Sequence, residues 1–252
     1  MLICDSLVQR LKELLAELDG ATAQPAPAPR QRLAWDTPTQ QQVAHITGQS
    51  PIFSAIFTSH TIKLISSGSP FSDPRQIAQA GRDNDGTVVI KIMAARAATI
   101  HRLAFVLLHE YVHAKDIHVR GFAAAEAAPY LSKPEYRLFR WQSELGAFQG
   151  QLKMVNQVIS AFGNPPSDMP ADEVSELTRT KEAMEHERAG DPIVRMLHVG
   201  REGDARRIIK DDYSTAMLDA EHADAAPDTD RTYEAAVTAY KSSPDWPSAA
   251  GW

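Results

Sequence analysis

The stretch Leu103-Ala104-Phe105-Val106-Leu107-Leu108-His109-Glu110-Tyr111-Val112-His113 decides how the rest of the chain is read. Its first six residues are small or apolar without interruption, as in a helix that runs through a core rather than along a surface. On such a helix His109 and His113, four residues apart, project from one face with only about 40° between them in azimuth. Two imidazoles so placed reach one cation at the roughly 2.0–2.1 Å of a zinc–nitrogen bond. Glu110, one residue past the first histidine, is turned aside from that pair, where a carboxylate acts on the attacking water as a general base instead of binding the ion. With 9 His and 32 acidic residues among 252 positions, a random chain of this composition holds the pattern about 0.04 times at most.

The flanks supply a frame for this helix. Upstream, Asp83-Asn84-Asp85-Gly86 is a turn signal set directly before Thr87–Ile92, a β-branched run that reads as a strand. That strand is expected to wall the cleft and to offer its edge to an extended ligand. Two further β-prone runs cover Ile52–Phe57 and Thr61–Ser66, and the helical pattern spans Ala95 to Ile117. Downstream, Pro134 opens a long helix over 134–162 that Gly163-Asn164-Pro165-Pro166 closes. Later helices are expected over roughly 171–188, 203–220 and 229–241. The fold class expected is α+β, mostly α: a small sheet on the histidine-bearing helix, followed by a helical C-terminal region.

At the front, Leu7, Leu11, Leu14, Leu15 and Leu18 give residues 1–20 an amphipathic helix closed by Gly20. It serves either as an arm on its own domain or as a docking element for a partner. Residues 21–30 are a Pro/Ala-rich linker, 31–163 the core, 164–241 a helical extension of the same domain, and 242–252 a tail whose tryptophans dock.

Composition narrows the function classes. A net charge of −6 lacks the basic footprint of a nucleic-acid binder, and no run approaches a membrane span. Cys4 is the single cysteine, so a thiolate-based zinc site and an internal disulfide are both excluded by count. The opening Met1-Leu2-Ile3-Cys4-Asp5 lacks a basic segment ahead of a long apolar run, which points to synthesis in the cytoplasm without a conventional signal peptide and is compatible with signal-independent secretion.

His109-Glu110-Tyr111-Val112-His113 resembles the zincin metallopeptidases, which share a His-Glu-x-x-His helix. The metzincin branch needs a glycine three residues past the second histidine and a further ligand three beyond it. Here those positions hold Asp116 and Val119, and His118 is one residue out of place. The gluzincin branch instead takes a glutamate from the following helix. On the 134–162 helix the apolar stripe is Leu138, Trp141, Leu145, Phe148, Leu152, Val155 and Ile159; Glu144 lies about 65° from its centre and Glu135 about 115°. Glu144 is therefore the inward carboxylate and the expected third ligand, with Glu126 and Glu135 in reserve. Gly146 and Ala147 are small enough for the two helices to approach closely.

With Ala114, Asp116 and the later glutamate, the pattern is also loosely similar to short effector-type zinc peptidases delivered by bacterial secretion systems. The resemblance implies one Zn2+ per chain, Glu110 as catalytic base and a peptide or protein substrate. Asp116 is expected either to hold a ligand imidazole by its free N–H or to sit as a surface acid. Tyr213, His198 and Tyr136 are the candidates to steady the oxyanion. The same residues would serve a zinc amidase acting on peptidoglycan or another non-protein amide, or an inactive zinc-binding interaction protein.

Overall fold

The computed structural model describes residues 32–68, 71, 73–227, 232–249 and 252. The helix and linker read over 1–30 lie outside them. Ten helices and a three-stranded sheet make up the described regular structure, apart from two short 3-10 turns. Helix α1 (Thr37–Thr47) starts at Asp36, whose carboxylate accepts from Thr39 N–H at 3.0 Å. Helix α2 (Pro51–Ser59) replaces the strand expected over Ile52–Phe57. Ser50 caps it, Pro51 occupies its first turn, and Phe53 and Ile56 are the buried residues. Cap and three-residue spacing together outweigh the β-propensity of Ile and Phe.

The sheet runs β1 (Ile62–Ser66), β3 (Val88–Ile92), β2 (Ala78–Arg82) across its width. β3 is parallel to β1 and antiparallel to β2. The expected strand is thus central, its two edges taken by neighbours, so it has no edge to offer a ligand. That edge belongs to β2. The strand Ala78-Gln79-Ala80-Gly81-Arg82 carries no β-branched or aromatic residue, and pairing with β3 makes it a strand where propensity does not. Asp83–Gly86 closes the hairpin as expected: Gly86 takes φ 85°, its N–H bonds to Asp83 O at 2.8 Å, and Asp83 N–H bonds to Thr87 O at 2.9 Å.

Helix α3 (Ile100–Arg120) is capped by Thr99 and ended by Gly121 in the left-handed conformation. Leu103, Ala104, Leu107, Leu108 and Ala114 are fully buried against the sheet and neighbouring helices. After the short α4 (Ala124–Ala127) comes α5 (Lys133–Phe162), which runs 30 residues. Its most buried residues include Tyr136, Phe139, Ala147, Met154, Val155 and Val158, a face rotated from the expected stripe, because α5 is covered on more than one side. Leu145 joins a second cluster with Ile193, Ala205 and Ile209; Trp141 borders that cluster and a third built on Phe139 and Leu218.

Three contacts hold α5 against α3. Gln151 Nε2 donates to Phe105 O at 2.7 Å. A Cβ built on Gly150 would come within 2.7 Å of Val112 Cγ2, and Glu144 faces His109 and His113. The close approach is at Gly150; a Cβ on Gly146, the expected spacer, meets nothing within 4 Å.

Beyond Gly163 follow α6 (Ala171–Gly190), α7 (Pro192–His198), α8 (Glu202–Asp212), α9 (Thr215–Asp224) and α10 (Glu234–Lys241). The single helix expected over 203–220 is two, because Ser214 caps α9 and breaks the chain at Tyr213. Tail tryptophans dock as expected: Trp246 stacks on Phe139 and Trp252 on Trp141. No helix among the described residues is long and apolar enough to cross a membrane.

Candidate metal centre

His109, His113 and Glu144 converge on one point between α3 and α5. The two Nε2 atoms are 3.0 Å apart, and each lies 3.4 Å from Glu144 Oε2. Ligand atoms at 2.0–2.1 Å around a tetrahedral ion stand about 3.3–3.4 Å from one another. The three observed separations therefore fit the edges of one face of such a tetrahedron. The side chains are 11%, 17% and 5% exposed, so the carboxylate is nearly dry and the imidazoles open only slightly. Glu144 Oε2 and His109 Nδ1 are buried without a hydrogen-bond partner among the described residues. A carboxylate oxygen so placed costs free energy unless a cation or proton meets it, which is what a metal ion supplies. The group can hold a metal ion.

The surroundings hold the carboxylate ionised. Burial alone would raise Glu144, but His113, His109 and Arg140 bring it well below the usual carboxylate range. The Phe148 ring lies 4.4 Å from the His109 ring, centroid to centroid, closing one side with apolar surface.

Glu110 is outside the trio. Its Oε2 accepts from Ala80 N–H on β2 at 2.7 Å, which ties the sheet edge to the centre. Burial pushes its carboxyl up to about 7, against the pull of His109 and the Ala80 hydrogen bond. A carboxyl in that range takes and returns a proton near neutrality.

Arg140, not anticipated from sequence, lies one turn before Glu144 on the same helix. Its guanidinium is 3.9 Å from Glu144 Oε1 and 3.8 Å from Glu221 Oε2, and lies over the Tyr213 ring at 5.5 Å. The i, i+4 spacing of Arg140 and Glu144 was the signal available for it. Tyr213 is brought to the centre by the break between α8 and α9, and Trp141 Nε1–H fixes its carbonyl at 2.8 Å. Burial raises its phenol, with Glu144 and Glu110 adding to the shift and Arg140 opposing it.

The other expected residues are engaged elsewhere. Tyr136 donates to Glu221 Oε2 at 3.1 Å and lines a cavity of about 590 Å3 with Gln79, Glu126 and Arg140, beside the centre rather than in it. Exposed at the end of α7, His198 makes no hydrogen bond or ion pair with the trio. Asp116 accepts from Arg120 at 2.9 Å and from neither imidazole, so the ligand-orienting role does not hold. Both reserve carboxylates are taken: Glu126 accepts from Ala123 N–H and lies 3.5 Å from Arg82, while Glu135 caps Ser132 and pairs with Lys241 at 2.7 Å. Comparison of the chain with protein-family models, curated proteins and solved structures finds no match.

Proposed function

We propose that this chain is a zinc-dependent hydrolase of the zincin type, with a gluzincin-like ligand set, that cleaves peptide bonds. The observation that carries the reading is the meeting of His109 Nε2, His113 Nε2 and Glu144 Oε2 within 4.8 Å of one another, with Glu110 adjacent but outside the set. Three nitrogen and oxygen donors suit zinc, which in catalytic sites takes three protein ligands. When bound, the ion polarises the scissile carbonyl and makes water a stronger acid.

The chain's own residues do the rest. Glu110 accepts a proton from the attacking water and passes it to the leaving amine, its carboxylate steadied by Ala80 N–H. Tyr213, backed by Arg140, is the donor placed to meet the negative charge that develops on the carbonyl oxygen. The β2 edge supplies main-chain groups for an extended peptide, and Ala80 N–H already points from that edge towards the centre. A purely structural metal site needs a fourth protein ligand, and the group has three among the described residues.

The test is elemental analysis of the purified chain, followed by digestion of a broad peptide library beside Glu110→Gln. One equivalent of zinc with cleavage lost only in the variant supports the reading. Release from cell wall with an untouched library moves the substrate to a non-protein amide, and zinc with no turnover on either makes the site structural.

A further inference from the structure

Glu144 turns its two oxygens to different neighbours. Oε2 lies 3.4 Å from each imidazole, while Oε1 lies 3.9 Å from Arg140 Nη2. Arg140 is thus a cation already beside the carboxylate that faces both histidines. A guanidinium free to close on Glu144 would take both oxygens in its fork, the geometry in which arginine grips a carboxylate most strongly. It would then compete with a metal ion for Oε2.

A second carboxylate stands on the other side of the guanidinium. Glu221, on α9, places its Oε2 3.8 Å from Arg140 Nε. The same oxygen accepts from the Tyr136 hydroxyl at 3.1 Å, and Tyr136 is 1% exposed, so the phenol fixes where Glu221 points. Arg140 Nε is buried without a hydrogen-bond partner among the described residues, so at 3.8 Å Glu221 acts on it charge to charge. One cation is held between two anions, and only one of them faces the imidazoles.

We propose that Glu221 is a positioning residue for the metal centre: it draws Arg140 away from Glu144 and leaves Oε2 free for the ion. The proposal rests on His109, His113 and Glu144 binding a cation, and does not depend on what the site cleaves. Among the described residues Glu221 makes no hydrogen bond or ion pair with any of the three, so its influence passes through Arg140.

Zinc affinity of the full chain, stripped of metal and measured by chelator competition, reads the effect. Urea unfolding of the metal-free protein checks the fold of each variant. Glu221→Gln should bind zinc about 10-fold more weakly than wild type, the low end of what outer-shell changes cost. The Arg137–Asp219 pair supplies the control, because it joins the same two helices nearly one turn before Arg140. Asp219→Asn should bind zinc within about 2-fold of wild type, whatever it does to unfolding. In an Arg140→Gln background, Glu221→Gln should cost no more than about 2-fold, since the charge it acts on is gone. The positioning role is overturned if Glu221→Gln binds zinc as wild type does, if Asp219→Asn loses as much, or if the loss is undiminished in the Arg140→Gln background. A wild-type chain that takes up no zinc overturns the metal reading and this role with it; any of the other outcomes, on a wild type that does bind zinc, overturns the role alone.

Discussion

Gly150 and Val112 are in contact so close that a single Cβ on the glycine would fall 2.7 Å from Val112 Cγ2 and 3.3 Å from Cγ1. The contact sets how near α5 comes to α3, and Glu144 rides on α5 less than two turns earlier. Gly150→Ala gains roughly 1 kcal/mol of helix propensity but meets a rigid β-branched side chain, at about 1–3 kcal/mol. The expected outcome is a net loss of about 1 kcal/mol in urea unfolding with weaker metal binding, both restored by adding Val112→Ala. Gly146→Ala, which meets nothing, should raise stability by roughly 1 kcal/mol. Equal effects of the two alanines would mean that close packing does not set the helix spacing.

Glu110→Gln keeps the shape of the side chain and leaves the three ligands alone. Metal content by mass spectrometry should match wild type, while the rate on any cleaved peptide falls about 10²- to 10⁴-fold. A variant that still turns over rapidly would remove Glu110 from the mechanism.

Glu144→Ala and Glu135→Ala separate ligand from surface acid on one helix. The first should weaken zinc binding by more than the 10–100-fold typical of outer-shell changes, and the second should leave it unchanged. Chelator competition measures both; indistinguishable affinities would place the third ligand elsewhere.

Tyr213→Phe removes a buried hydroxyl beside Glu144 and Glu110. The expected loss is about 10²–10³ in kcat with KM and metal content near wild type. A rise in KM alone would make the tyrosine a binding group instead.

Glu135 joins the start of α5 to the end of α10 through Lys241. The Lys241 hydrogen bond, with the Ser132 N–H and hydroxyl, lowers its carboxyl from 4.5 to about 2. A group depressed on folding stabilises above its unfolded pKa and loses that contribution as pH falls through the folded one. Glu135→Gln should therefore melt below wild type near neutral pH, by about 3 °C or less for a pair this exposed. The gap should narrow as pH falls from 4.5 towards 2; a gap that widens with acid would reverse the assignment.

Residues 103–113 carried their reading alone because helical periodicity is local: a four-residue step places two imidazoles on one face wherever the helix lies. The same holds for Glu144, whose inward angle follows from its own helix, and for the Asp83–Gly86 turn. The β2 strand was illegible, since Ala-Gln-Ala-Gly-Arg has no intrinsic preference and becomes extended only by pairing with β3. Arg140 and the true spacer Gly150 were likewise hidden, because which face of a buried helix meets which neighbour depends on register.

By itself, then, the sequence determined the helix of His109 and His113, the placing of their two imidazoles on one face, the adjacent Glu110 and the inward carboxylate on the next long helix. Only the tertiary structure decided that the Glu144 oxygen lies 3.4 Å from both rings, that Ala80 N–H holds Glu110, and that a helix break delivers Tyr213. Distances between separate elements arise from packing many side chains at once, and no local pattern encodes that sum.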